Sequence, residues 1–479
     1  MPQIFINGQP VEADRGQTVM EAARAAGFFI PYFCWHPNLS VAGNCRICAI
    51  QIEDRSWVEI ACNMPVSEGL RVLTDSPKVK EYRKSIMQLM TLNHPVDCGI
   101  CDKSGECTLQ DYHYQYNGAP SISRDAKVRS TKFHPLSTRI VLDNERCILC
   151  SRCVRFTREI SKSNALGITE RGDTSLVRAS EDGALDADPY SDNVIDLCPV
   201  GALLSRSFLY KARVWYIKPT PSVCPGCARG CTVQVWHRKP EWKLHTLDQV
   251  KNVRIERVTP LENPAVNGPW ICNKGRDLAR IFERPRALQA MEKGRPVELS
   301  AAIATARRLI GEAKHAIAFV SNWGSNEELR AFKQALGARF AAFVKRDCES
   351  EPGETVEDDI LIRADKNPNT AAARAQFTEQ DDGAPLDDAT DLVLIWGEGF
   401  DFARIPAKAK VIFLNSYLAP ENGHADAFIP TSIQTERRGH YTNFEGTVSA
   451  FERCFPKKHT VADAEALFAA LAVTEVAPA

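Results

Sequence analysis

Sixteen side chains in this sequence stand at spacings that suit metal ligation, and they fall into four groups in chain order. Cys34, Cys45, Cys48 and Cys62 are spaced C-x10-C-x2-C-x13-C. His94, Cys98, Cys101 and Cys107 are spaced H-x3-C-x2-C-x5-C. Cys147, Cys150 and Cys153 form C-x2-C-x2-C, with Cys198-Pro199 far downstream. Cys224, Cys227, Cys231 and Cys272 are spaced C-x2-C-x3-C-x40-C. Thiolate is a soft ligand for zinc and for iron–sulfur clusters. Three cysteines leave one of four coordination positions open in the second group, and the His94 imidazole can take it. Being neutral, it should make a cluster easier to reduce than an all-Cys analogue. Zinc uses the same ligand types and stays open for the first, second and fourth groups taken singly.

Cysteine usage points to metal rather than disulfides. There are 17 cysteines, an odd count, and 15 lie at or before Cys272. The N-terminus, Met-Pro-Gln-Ile-Phe-Ile-Asn-Gly, has no basic-then-apolar secretory pattern, and reducing compartments keep thiols unpaired. Cys348 and Cys454 lack nearby partners and read as incidental. With 59 Lys plus Arg against 60 Asp plus Glu, net charge is −1, so the chain carries no global case for nucleic acid. The 44% hydrophobic and 25% charged fractions are those of a globular protein. No run of about 18 apolar residues predicts a membrane span. No G-x-G-x-x-G or phosphate-loop motif occurs, Gly397-x-Gly399 being too little, so no NAD or flavin site is expected on this chain. No nucleophile–base set stands out, and no residue is assigned a catalytic role.

The elements that must position these ligands are partly readable. Ile4-Phe5-Ile6, Asn7-Gly8 and Val11-Glu12-Ala13 predict a hairpin. Thr18 caps a short helix with apolar Val19, Ala22, Ala23 and Ala26. Val79, Ile86, Leu89 and Met90 predict a helix before the second group. Ile317–Val320, Leu392–Ile395 and Val411–Leu414 suit buried parallel strands; Ala301–Ile310 and Glu327–Leu336 suit helices. The polar stretch from Arg363 to Asp391, with Asp365, Asp381, Asp382, Asp387 and Asp388, predicts a loop. Arg152, Arg155 and Arg158 could dock a partner but read individually as solvated.

A hairpin, helix and Cys-bearing loop resemble the [2Fe–2S] ferredoxin domain of the plant type, with a longer first gap. The third group is similar to bacterial two-cluster ferredoxins, whose run is C-x2-C-x2-C-x3-C-P. After Cys153 the fourth position is Thr157; counting back from Cys198 gives Val194, Ser191 and Asp188. The pattern is that of a two-cluster ferredoxin keeping one cluster.

The whole order resembles the large iron–sulfur subunit of respiratory complex I, the NADH:quinone oxidoreductase. The carriers are Cys34-Trp35-His36-Pro37, Ala42-Gly43-Asn44-Cys45-Arg46, Asp97-Cys98-Gly99-Ile100-Cys101, Gly105-Glu106-Cys107-Thr108-Leu109-Gln110-Asp111 and Arg146-Cys147-Ile148-Leu149-Cys150-Ser151-Arg152-Cys153-Val154-Arg155-Phe156. Beyond about residue 275 the chain resembles molybdopterin oxidoreductases, through Cys272-Asn273-Lys274-Gly275-Arg276, Ala425–Pro430 and Gly439–Gly446. With 206 residues from 274 to 479, this part is shorter than that superfamily's catalytic domains, and no Cys or Ser ligand for molybdenum is evident.

The resemblance implies α+β iron–sulfur domains, a β-grasp [2Fe–2S] ferredoxin and then ferredoxin-like [4Fe–4S] domains, followed by a contracted α/β molybdopterin-oxidoreductase-like region. The implied boundaries are 1–78, 79–120, 121–216, 217–273 and 274–479. It implies one [2Fe–2S] cluster on the Cys34 group, three [4Fe–4S] clusters on the others, and no molybdenum. It also implies an electron-relay role between a flavin- and NADH-binding subunit and a quinone-side iron–sulfur subunit, on the cytoplasmic side of a membrane touched only through partners. The relay subunit of a soluble NAD-linked hydrogenase or formate dehydrogenase is the alternative.

Overall fold

A computed structural model describes residues 1–130, 132, 134–170, 172–245, 249–379 and 386–473. It forms two compact units, Met1–Tyr216 and Ile217–Ala479.

The first unit opens with strands Gln3–Ile6 and Gln9–Glu12, paired antiparallel. Asn7 and Gly8 both take positive φ, 50° and 80°, the left-handed conformation that a two-residue hairpin turn requires. The sheet runs Gln9–Glu12, Gln3–Ile6, Arg71–Leu73, Ala49–Ile52, Val58–Ile60. Thr18 caps helix Val19–Ala25 in a capping box with Glu21. The helix buries Val19, Met20, Ala22 and Ala23 in one cluster with Ile4, Ile6, Val11, Ile50 and Val72. This helix over a mixed sheet is the β-grasp arrangement, and it holds the loops carrying the first four cysteines.

Helix Pro77–Thr91 forms as expected, but its buried face differs. Leu89 is 61% exposed; the stripe is Val79, Arg83 and Met87, four residues apart. Arg83 is buried because its guanidinium donates to the Ala49 carbonyl at 2.9 Å and lies over the Tyr116 ring. The long stem supplies apolar surface while the head finds an acceptor.

The second unit begins with a three-stranded antiparallel sheet, Ile217–Val223, Thr232–Arg238 and Ile255–Pro260. Beyond it, six parallel strands lie in the spatial order Ala427–Pro430, Lys410–Asn415, Leu392–Trp396, Ala316–Ser321, Ala341–Lys345, Thr378–Glu379. Numbered along the chain this is 6-5-4-1-2-3, the doubly wound order. Helices Leu299–Glu312 and Asn326–Leu336 cover the sheet through Ala302, Ala306, Leu309, Leu329, Phe332 and Leu336. At the switch point after Ala316–Ser321, the chain's own groups meet. Buried Asp347 accepts from Ser321 Oγ at 3.0 Å, Asn322 N–H at 2.8 Å and Lys345 Nζ at 2.5 Å. A Cβ on Gly397 would lie 2.2 Å from the Asp347 carboxylate.

The predicted loop from Arg363 to Asp391 is corrected. It contains helix Thr370–Gln376 and the edge strand Thr378–Glu379; Asp381 and Asp382 lie outside the described residues. Its sequence carries no periodic signal, because Ala371, Ala372, Ala373 and Ala375 form helix without an amphipathic stripe. Among the described residues, no helix is long and apolar enough to cross a membrane.

Candidate metal centres

The first group sits on two loops of the β-grasp sheet. Cys34, Cys45 and Cys48 lie between helix Val19–Ala25 and strand Ala49–Ile52; Cys62 lies in the short turn Ala61–Asn63 after Val58–Ile60. All four are buried and unpaired by disulfide. The Cys34 N–H donates to Cys45 Sγ at 3.4 Å. The side chains pair as Cys34 with Cys45 and Cys48 with Cys62. A hydrogen bond from Cys45 draws the Cys34 thiol down to about 5 and pushes the Cys45 thiol up; Cys48 and Cys62 split likewise. All four thiols interact electrostatically, so the two loops bring them to one place.

In the second group, Cys101 lies beside both Cys98 and Cys107. The N–H groups of Gln110 and Leu109, at the start of helix Thr108–Tyr112, point at Cys107. Cys98 is exposed. His94 faces Arg146, as Cys101 does; burial first, then this cation, lowers its pKa to about 4, so the imidazole is neutral.

The third group wraps tightly. Leu149 and Ser151 take φ of 53° and 60°, left-handed values that a non-glycine residue adopts at a cost of about 1–3 kcal/mol. This curls the loop so that the Leu149 N–H donates to Cys147 Sγ at 3.4 Å. Cys153 enters helix Arg152–Glu159, and Cys198 ends helix Asn193–Leu197. All four thiols are mutual neighbours, although 45 residues separate Cys153 from Cys198. Burial raises Cys147 to about 12 and Cys150 to about 11.

In the fourth group, strands Ile217–Val223 and Thr232–Arg238 pair along their whole length, and the loop between them holds Cys224, Cys227 and Cys231. Asn267 Oδ1 accepts from the Thr232 N–H at 3.0 Å, drawing in the segment that delivers Cys272. The Gly226 N–H donates to Cys224 Sγ at 3.4 Å, and the N–H groups of Gly275 and Lys274 face Cys272. A Cβ on Gly226 or Gly275 would come to 3.4 Å from Cys224 Sγ, so both glycines line the thiols closely. Cys454 lies beside Thr220 and Lys218, whereas Cys348 faces Lys274, whose own N–H faces Cys272.

Each group is a set of neighbouring thiols into which backbone N–H groups point; the first group is buried throughout, and the second has only Cys101 buried. That is the chemistry of iron–sulfur ligation, where such bonds tune potential. Among the described residues, no three His, Cys, Asp or Glu side chains are gathered as closely as ligands of a metal ion.

Three cations that the sequence left unplaced lie against these groups. Arg152 and Arg155 are 7% and 5% exposed, not solvated; only Arg158 keeps that reading. Arg146, buried between Asp97 and Asp143, reaches the second group from the residue preceding Cys147. Their position beside ligands in sequence was the available signal.

Four family models match in succession. The 2Fe-2S iron-sulfur cluster binding domain covers residues 2–77, and the NADH-ubiquinone oxidoreductase-G iron-sulfur binding region covers 83–119. The ferredoxin-like domain of NADH-quinone oxidoreductase subunit 3 covers 137–204, and the molybdopterin oxidoreductase Fe4S4 domain covers 217–284. The chain is a relative of the large iron–sulfur subunit of NADH-quinone oxidoreductase. It is 37% identical to that subunit of Rickettsia prowazekii over 276 residues, 58% of this chain and 39% of the relative. The mitochondrial NADH dehydrogenase [ubiquinone] iron-sulfur protein 1 of Solanum tuberosum is 36% identical over 292 residues, 61% of this chain and 38% of its own length. The NADPH-Fe(3+) oxidoreductase subunit alpha of Geobacter sulfurreducens is 33% identical over 343 residues, 70% of this chain and 39% of that protein. The chain thus spans well under half the length of the curated relatives it matches. It carries both [2Fe–2S]- and [4Fe–4S]-type binding domains of that subunit's relatives.

Proposed function

We propose that this chain is an electron-relay subunit of an NADH:quinone oxidoreductase of the complex I type. The reading assigns Cys34, Cys45, Cys48 and Cys62 to one [2Fe–2S] cluster. It assigns His94, Cys98, Cys101 and Cys107; Cys147, Cys150, Cys153 and Cys198; and Cys224, Cys227, Cys231 and Cys272 to three [4Fe–4S] clusters. When bound, such clusters supply one-electron redox chemistry. The chain's residues anchor iron through thiolate, fix spacing, and set potential through burial, N–H···S bonds and local charge. The five segments divided at 78, 120, 216 and 273 are the proposed domains.

One observation carries the relay reading: within the first unit, the third group touches each of the other two. On one side, Arg152 and Arg155 of its helix bind the peptide carbonyls of Trp35 and Cys34. On the other, the Thr108 N–H, beside Cys107, donates to the carbonyl of Pro199, beside Cys198, at 3.0 Å. Gly201 lies so close to Cys101 that a Cβ there would be 2.1 Å from its sulfur. A relay needs contiguous centres, which supports the order Cys34 group, Cys147 group, His94 group. The Cys224 group is proposed to lie off this path.

The proposed partners are a flavin- and NADH-binding subunit as donor, a quinone-side iron–sulfur subunit as acceptor, and other peripheral-arm subunits. The proposed location is the cytoplasmic side of the membrane, reached through those partners. Molybdenum, NAD and flavin have no assigned site on this chain. The relay subunit of a soluble NAD-linked hydrogenase or formate dehydrogenase complex is the second reading; the match to an NADPH-Fe(3+) oxidoreductase subunit, named for an acceptor other than quinone, supports a relay outside complex I. Anaerobic affinity purification from native cells, with mass spectrometry of the co-purifying chains, separates the two. Membrane proton-translocating subunits are expected; a hydrogenase or formate dehydrogenase catalytic subunit with no membrane arm would replace the first reading by the second.

A further inference from the structure

Helix Arg152–Glu159 carries one ligand of the third group and presents two arginines one turn apart, Arg152 and Arg155. Each joins the first group to the third by binding a peptide carbonyl on both sides. Arg152 donates to the Trp35 carbonyl at 2.6 Å, next to Cys34, and to the Leu197 carbonyl at 3.1 Å, next to Cys198. Arg155 donates to the carbonyl of Cys34 itself, to that of Ser40, and to that of Cys150 at 3.4 Å. Two further bonds close the same seam. Glu159 accepts from the Ser40 N–H at 2.8 Å, and Asn44 Nδ2 donates to the Leu149 carbonyl at 3.0 Å.

Both guanidinium groups are buried, yet their hydrogen-bond acceptors here are carbonyl and hydroxyl oxygens rather than carboxylates. The nearest acid to Arg155, Glu159, spends its oxygens on Ser40 and Arg158. A buried charge is costly unless matched by opposite charge. The anionic groups facing Arg155 are the sulfurs of Cys34 and Cys150 together with Glu159, and Cys150 also faces Arg152. A guanidinium cannot lose its proton at ordinary pH and offers five N–H donors in a fixed fork, so it can supply charge and geometry together.

We propose that Arg152 and Arg155 are positioning residues that lock the Cys34 group to the Cys147 group at fixed spacing and place a shared positive charge between them, so that the two redox potentials are set jointly. This rests on the cluster assignment made above. The reduced form of each cluster is the more negative, so nearby cations raise both potentials.

The test is a redox titration of the assembled complex followed by low-temperature electron paramagnetic resonance, for wild type, Arg155→Gln, Arg155→Lys and Arg152→Gln. Wild-type spectra first establish the clusters; missing [2Fe–2S] or [4Fe–4S] signals would fail the assignment, not the clamp. With signals present, each Gln variant should move the Cys34 and Cys147 potentials to more negative values together and leave the His94 potential in place. Arg155→Lys, which keeps the charge, should restore the potentials. Because it loses the fork, the magnetic interaction between the two clusters should weaken. Unmoved potentials, a shift in only one of the two, or an equal shift in the His94 cluster would overturn the proposal. If Arg155→Gln fails to take up iron, Arg152→Gln reads the same pair.

Discussion

Gly201→Ala is the sharpest probe of how the second and third groups meet. Gly201 follows Cys198-Pro199 and has no left-handed φ, so alanine adds no backbone strain and the test is steric. The new methyl would sit 2.1 Å from Cys101 Sγ and 3.2 Å from Lys103 Cβ. Ordinary contact begins near 3.4 Å, so sulfur and methyl must separate by more than 1 Å. Metal–ligand distances tolerate only about ±0.2 Å. Either Cys101 leaves its cluster or the Pro199–Gly201 loop gives way. Overpacking of this kind costs about 1–3 kcal/mol, and each kcal/mol lowers the melting temperature by roughly 2–4 °C for a unit of this size. The assay pairs iron content and paramagnetic resonance with calorimetry. The expected result is selective loss or distortion of the His94-group signal, a melting temperature lower by several degrees, and an intact Cys34-group signal. Gly167→Ala, where a Cβ meets nothing within 4 Å, is the control and should change none of these. A Gly201→Ala chain with full iron, unaltered spectra and unchanged melting would refute the placement of Cys101 against this loop.

Three other outcomes follow from the same geometry. Replacing His94 by Cys exchanges a neutral ligand for an anionic one, so that cluster's potential should fall; a titration showing no shift, or a rise, contradicts the ligand assignment. Cys224→Ser should lower thermal stability and complex yield while leaving NADH-to-quinone electron flow in the assembled fraction. Loss of turnover in a fully assembled variant would put this group on the path. With clusters stripped, burial holds Cys107, Cys150 and Cys272 near about 11 and Cys147 near about 12, above the ordinary 9.0. Raised thiol pKa values stabilise the fold below pH 9 and that contribution disappears as pH climbs from 9 toward 12. Chemical denaturation at pH 8 and 10.5 should therefore show the cluster-free chain weakening more than the loaded one, whose thiolates are already ligands.

Short-range signals carried well from sequence to structure. Asn7-Gly8 made its turn, Thr18 its cap, and the apolar runs at 317, 392 and 411 became adjacent or near-adjacent parallel strands. Each depends on local conformation or on burial over a few residues. What failed depended on distant partners. Leu89 looked like a core position until Arg83 took it, by reaching the Ala49 carbonyl 34 residues away. Arg152 and Arg155 looked solvated because the carbonyls that bury them belong to a loop 115–121 residues earlier. Gly201 carried no signal at all, since its role is the space it leaves for Cys101. The four cysteine groups stand out as spacing patterns because ligand spacing is a local constraint; the contacts that the third group makes with the other two did not, because they join loops far apart in sequence.

The central claim is that this chain relays electrons drawn from NADH through iron–sulfur centres. Its most direct test is low-temperature paramagnetic resonance of the anaerobically purified native complex before and after NADH addition, with metal analysis on the same sample. The relay predicts iron and sulfide without stoichiometric zinc or molybdenum, and [2Fe–2S] and [4Fe–4S] signals from this chain that appear on NADH addition. Zinc in place of iron, or iron–sulfur signals that NADH fails to reduce, would contradict it.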